Sequence, residues 1–180
     1  MKAKIVIFIA IVAFITIIVV PFFKQVKGTL ELFTKIQNSK KPVPYHLSTN
    51  NLSLVNVRTK EHTNLKLQGI TVINFWASWC KPCIEEETSL EEFSKRYNNV
   101  NFILLSFDSL DAQIKIIKEK KWTLPAYFCS DTNVISNPFI LPTTIFIKDS
   151  IVYKEVYGAK NWLDETLVYK VDSLINNLSK

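Results

Sequence analysis

A chain of 180 residues carries one domain with a little left over. It is 48% hydrophobic and 21% charged, ordinary for a globular protein that also holds one strongly apolar segment. The formal charge of +6 comes from scattered lysines with no nucleic-acid-binding pattern around them. It reads as solvated surface plus lysines flanking a membrane, and no nucleic-acid partner is expected.

Met1-Lys2-Ala3-Lys4 precedes an uncharged run, residues 5–23, broken only by Thr16 and Pro21. As a helix its ~19 residues would reach ~28 Å, close to the hydrocarbon thickness of a bilayer. Val19-Val20-Pro21-Phe22-Phe23-Lys24 offers no small-residue cleavage site, so residues 1–27 are expected to remain as an uncleaved, single-pass signal anchor. Lys2 and Lys4 on one side stand against Lys24 and Lys27 on the other, which leaves the orientation open on charge alone. Residues 28–41 read as a polar tether. Pro42 and Pro44 then make an extended lead-in to a domain spanning 42–180.

Within that domain, residues 45–47 and 52–57 read as short strands with a turn at Thr49-Asn50-Asn51. Residues 70–76 are almost continuously apolar, as a strand buried on both faces must be. A helix is expected over about 80–97, a buried strand over 100–107 and a second helix over 111–121. Strands follow at 126–129, 143–148 and 151–157, with Asp149-Ser150 where a tight hairpin turn is needed. The last helix carries Leu163, Leu167, Val171, Leu174 and Leu178 as one apolar stripe. Asn161 is expected to cap it, with Asp164 and Glu165 set against its dipole. Alternating strands and helices that end in a hairpin and a helix mean an α/β domain.

Three cysteines are too few for a disulfide framework, and two of them stand three residues apart, a spacing that suits a redox or a metal pair. Cys129, beside apolar Ala126, Tyr127 and Phe128, reads as a buried core cysteine. In Asn74-Phe75-Trp76-Ala77-Ser78-Trp79-Cys80-Lys81-Pro82-Cys83, a strand runs into Cys80 and a helix opens there. The first-turn N–H groups favour a thiolate at Cys80, and Lys81 adds a neighbouring cation. Cys83 falls one turn further in, within bonding reach of Cys80, and Pro82 lies where a missing N–H is harmless. The expected arrangement is an exposed nucleophile and a shielded resolving thiol.

A zinc site would need two more ligands, and neither His46 nor His62 has metal-pair spacing, so no metal and no other cofactor is expected. Trp76 and Trp79 suit the core, and Trp79, directly before Cys80, is also placed to shield the disulfide. Cys83, Glu86, Leu90, Phe93 and Tyr97 share one helical face, so Glu86 should be partly buried with a raised pKa. Glu85 and Glu87 read as a solvated face or as complements to the helix dipole.

The segment resembles the membrane-tethered thioredoxin-like proteins of the TlpA/ResA type, in which Asn-Phe-Trp-Ala-x-Trp-Cys-x-Pro-Cys closes the first central strand and opens the helix. The resemblance covers about Pro42 to the C-terminus and extends to Leu141-Pro142-Thr143-Thr144-Ile145-Phe146-Ile147, which is similar to that family's cis-proline loop. It implies a thioredoxin-like fold, a central mixed β-sheet flanked by helices, behind an N-terminal transmembrane helix. It also implies a cis Leu141–Pro142 bond, Pro142 against the Cys80–Cys83 pair, and a Leu141 backbone that pairs with an incoming peptide as an added strand. Trp79, Leu141 and Pro142 would then hold the substrate. Cytosolic thioredoxins carry a buried Asp where this chain has Asn74, and Glu86 matches the Glu three residues after the second cysteine in ResA-like proteins. Thr88 stands where many members have Pro, so the helix is expected to lack their kink.

By the same resemblance, Cys80, Cys83 and Glu86 form the catalytic set of an extracytoplasmic thiol–disulfide oxidoreductase in the cell membrane. Its substrates would be protein disulfides, with cytochrome c maturation as one precedent, and its electrons would come from a membrane thiol-reductant carrier. Lys81 pushes the pair towards an oxidant and the family towards a reductase, and the reductase reading is kept ahead. A peroxiredoxin-like thiol peroxidase and a non-catalytic tethered binding module are the alternatives.

Overall fold

The computed structural model describes residues 44–47, 54–65, 67–131 and 140–179, together with positions 20, 21 and 27. The chain divides into two units, Met1–Val43 and Pro44–Lys180. In the first, Val20, Pro21 and Lys27 are described, each helical and exposed. The expected membrane segment and tether otherwise lie outside the described residues, as does the turn at Thr49-Asn50-Asn51. Among the described residues no helix is long and apolar enough to cross a membrane.

The second unit is built on one eight-stranded mixed sheet. Its strands are β1 (Tyr45–His46), β2 (Leu54–Asn56), β3 (His62–Thr63), β4 (Ile70–Phe75), β5 (Val100–Ser106), β6 (Ala126–Cys129), β7 (Thr143–Lys148) and β8 (Ile151–Tyr157). They lie in the order β1-β8-β7-β4-β5-β6-β2-β3, with β4, β5 and β6 parallel and the other neighbours antiparallel. The helices are α1 (Lys81–Ser94), α2 (Leu110–Lys120) and α3 (Glu165–Leu178).

Strand β4 is buried at all six positions because it sits between β5 and β7 with packing on both faces. Its alternating side chains feed two clusters. Ile70 and Val72 join Leu90 and Phe93 of α1, Ile117 of α2 and Val171 and Ile175 of α3, whereas Ile73 and Phe75 join Ile103, Leu105, Cys129 and Ile145. Cys129 is fully buried, as its neighbours predict.

Several local expectations are corrected. Strands β1 and β2 do not form a hairpin: β1 pairs with β8 and β2 with β3 and β6, so they stand far apart in the sheet. Strand β3 has no signal in the sequence, because two residues with exposed His62 carry no alternation long enough to read. Helix α3 is capped by Asp164, whose side chain accepts from the Leu167 N–H at 3.0 Å, while Asn161 accepts from Leu163 N–H in the loop before it. Its buried stripe is Val168, Val171, Ile175 and Leu178, with Leu163 exposed. The cap falls at Asp164 rather than Asn161, so Leu163 lies before the helix and outside its stripe. Asp149 and Ser150 both have positive φ, the geometry of a two-residue hairpin turn, and Asp149 is held by a hydrogen bond from Gly69 N–H at 2.9 Å.

Candidate redox site

Strands β4 and β5 run parallel, and the chain segments beyond their carboxyl ends meet at one rim of the sheet, the usual place for a site in such folds. Beyond β4, residues 76–80 lead into α1. Trp76 N–H bonds to Leu105 O at 3.1 Å and Cys80 N–H to Ala77 O at 3.0 Å, which folds this stretch into a tight turn. Cys80 is the N-cap of α1. Its sulfur accepts from the Cys83 N–H at 3.3 Å, and Pro82 occupies the first turn. Cys80 and Cys83 are joined as a disulfide with their Cα atoms 5.3 Å apart.

Exposure does not separate the two cysteines as expected. Cys80 is 5% exposed and Cys83 2%, so both are buried in this oxidised state. What distinguishes them is position: Cys80 caps the helix, where N–H groups favour its thiolate, and Cys83 lies inside the first turn. Lys81 is paired with Glu85 at 3.5 Å in an exposed i,i+4 contact. Trp79 does not bury itself over the disulfide. It is 72% exposed, while Trp76 is buried and packs edge-on against Trp122 at 5.0 Å.

Glu86 is 4% exposed, on the face its helical phase predicts. One oxygen accepts from the Asn74 side-chain amide at 2.8 Å and the other from the Lys160 backbone N–H at 2.7 Å. The Asn74 amide also donates to Thr144 Oγ1 at 3.0 Å, so α1, β4 and β7 meet in one buried polar chain. Burial raises the Glu86 pKa. The Lys160 N–H, the Asn74 amide and the nearby Trp162 indole oppose that rise, although the indole N–H makes no hydrogen bond of regular geometry. Helix α1 runs without interruption through Thr88, consistent with the absence of proline there.

The Leu141–Pro142 bond is cis, with Pro142 buried and Leu141 half-buried. Thr143 pairs with Phe75, and continuing that antiparallel register sets Pro142 opposite Trp76, at the same rim as the cysteines. The Pro142 carbonyl accepts from Gly158 N–H at 2.8 Å, which leaves the loop tied to the end of β8.

Two features were not legible beforehand. Asp108, just past β5, accepts from Ser78 N–H at 2.8 Å and from the Ser78 hydroxyl, and so anchors the turn that presents Trp79 and Cys80. The only sequence signal was a Ser inside the motif and an Asp after a strand. Glu87 is 1% exposed with neither oxygen hydrogen-bonded, against its reading as a solvated residue. His46 and His62 sit on β1 and β3, the two opposite edges of the sheet, so they cannot join one metal site with the cysteine pair.

The sequence profile of the AhpC/TSA family matches residues 47–154. The chain belongs to the AhpC/TSA family. The chain is 32% identical over 115 residues to the thiol-disulfide oxidoreductase ResA of Bacillus thuringiensis subsp. konkukian, covering 59% of this chain and 66% of that one. Against a ResA of Bacillus cereus it is 28% identical over 104 residues, covering 54% and 60%. The chain thus spans 60–66% of the length of these two relatives. The crystal structure of StoA from Bacillus subtilis, 18% identical, superposes with a TM-score of 0.54 over 74% of this chain and 99% of that one. That likeness is one of fold, and it bears out the thioredoxin-like α/β expectation. The matches to ResA bear out the resemblance to the TlpA/ResA type.

Proposed function

We propose that this AhpC/TSA-family chain is a thiol–disulfide oxidoreductase that reduces protein disulfides outside the cytoplasm, tethered to the membrane by its N-terminal segment. The observation that carries the reading is the Cys80–Cys83 disulfide at the start of α1, at one rim of the sheet with the cis-Pro142 loop. The likeness to ResA oxidoreductases supports the same chemistry. In the reduced protein the Cys80 thiolate attacks a substrate disulfide, forming a mixed disulfide and releasing one substrate thiolate. Cys83 loses its proton to the carboxylate side of α1 or to water, attacks Cys80 and releases the second substrate thiolate. Two electrons have then passed to the substrate, and Cys80–Cys83 is oxidised. A membrane thiol-reductant carrier would restore the dithiol. Cysteines of an apocytochrome c are one substrate class in keeping with the ResA likeness.

The apolar run at 5–23 supports the tethered placement, and the persistence of protein disulfides in oxidising compartments supports the outward-facing one. One experiment tests site and side together. In intact cells, a membrane-impermeant alkylating reagent should label Cys80 after brief reduction. Cys80→Ser should abolish reduction of a model protein disulfide by dithiothreitol, and Cys83→Ser should accumulate mixed disulfides. Full activity in Cys80→Ser would sink the nucleophile, and labelling only after lysis would sink the location.

A further inference from the structure

A buried carboxyl group persists either as an ion held by donors or as a neutral acid. Helix α1 holds two such groups side by side, with different partners. Glu86 has an N–H donor on each oxygen. Glu87, 1% exposed, has a donor on neither. The charged groups facing Glu87 are Arg58 from the turn after β2, and Glu86 and Glu91 from its own helix. Arg58 is committed to Trp122 O at 2.7 Å and Leu124 O at 2.8 Å, and Glu91 accepts from the Thr123 N–H and hydroxyl. An ionised Glu87 would therefore face two other carboxyl groups with no donor of its own. Burial first, then Glu91, push its pKa up to about 8 against the partial pull of Arg58. Near neutral pH this residue carries a proton.

Its place on the helix gives that proton a destination. Glu87 follows Cys83 by four residues, so the two stand one above the other on the buried face of α1, about 5–6 Å apart at Cβ. Helical side chains lean towards the N-terminus, so the Glu87 side chain covers the turn that holds Cys83. Glu86, with both oxygens engaged, is the less available of the two.

We propose that Glu87 is the proton carrier of the Cys80–Cys83 centre, giving its proton to the Cys83 sulfur when the disulfide opens and taking it back when the disulfide closes. The inference rests on the exchange reaction proposed above. On reduction, a thiolate of the donor dithiol attacks the Cys80 sulfur and the Cys80–Cys83 bond breaks. The Cys83 sulfur leaves with the electron pair and takes the Glu87 proton, leaving a Glu87 carboxylate. The donor's second thiolate then displaces Cys80 as a thiolate, and the donor departs as a disulfide. When Cys83 later attacks the Cys80–substrate bond, its proton returns to Glu87.

Oxidised-minus-reduced infrared spectroscopy of the full-length chain at pH 7, with dithiothreitol as reductant, reads the proton directly. A buried carboxylic-acid carbonyl band should be present in the oxidised protein and vanish on reduction. It should be missing from Glu87→Gln and kept in Glu86→Gln. Glu87→Gln should slow reduction by roughly tenfold or more, and Glu87→Leu, which buries no amide, should be slowed equally. A band that survives reduction, or that disappears with Glu86 instead, overturns the assignment while leaving the exchange reaction standing. Failure of dithiothreitol to release thiols from Cys80–Cys83 would overturn both.

Discussion

Between Glu86 and Glu87 the helix turns by about 100°, which sends one carboxyl towards Asn74 and Lys160 and the other towards Arg58. Both are buried and both have raised pKa values, with burial as the first cause. The sign of the consequence follows from linkage. A native state that holds these protons more tightly than the unfolded chain has its full contribution below the ordinary value of 4.5. That contribution declines as pH rises and is gone above the Glu87 value of about 8. The unfolding free energy from denaturant titration should therefore fall between about pH 5 and 8, by an amount on the order of a few kcal/mol, and the midpoint with it. Glu87→Leu should flatten most of that slope and be more stable than the parent at pH 8. A parent midpoint that does not change over this range would contradict it.

At the scale of elements, the redox turn depends on what grips it from the neighbouring strand. Asp108 closes the turn through Ser78 and begins the approach to α2 through a bond from Ser109 N–H at 2.7 Å. Asp108→Ala leaves the Ser78 N–H and hydroxyl without their partner, a loss of about 1–3 kcal/mol. Amide exchange at Ser78 and Trp79 should quicken while that of β4 and β5 stays as it was. Equal quickening in the strands would mean that Asp108 supports the whole sheet rather than the turn. Helix α3 makes the complementary point. Its apolar residues at 167, 171, 174 and 178 lie on or beside the core, whereas Leu163 precedes the Asp164 cap and stays exposed.

Across the second unit, Trp162 joins parts that are distant in sequence. It is fully buried before α3, with its ring centre 5.8 Å from that of Phe93 on α1 and 6.4 Å from that of Phe146 on β7. Two residues earlier, the Lys160 N–H holds Glu86. Trp162→Ala empties the contact between helix and sheet and should cost about 3–5 kcal/mol in chemical denaturation. A loss below about 1 kcal/mol would show that the cavity collapses without strain.

The sequence alone marked the elements other than β3 and the place of the cysteine pair, because both are written in local spacing. Continuous apolar residues marked β4, helical periodicity marked the buried face of α1 with Glu86 on it, and Cys80–Cys83 at a strand-to-helix junction marked the site. The cis Leu141–Pro142 bond followed from a resemblance rather than from spacing. Tertiary structure alone decided which neighbours each polar group meets. Asn74 bonds to Glu86 and Thr144, Ser78 to Asp108, and among the described residues the cation facing Glu87 is Arg58, already engaged elsewhere. Those partners lie 12 to 70 residues apart in the chain for Asn74, and 30 for Ser78. Periodicity reports only the side of an element on which a residue falls. Whether a buried carboxyl finds a donor depends on which other strands and turns arrive there, and that is fixed only when the sheet order is.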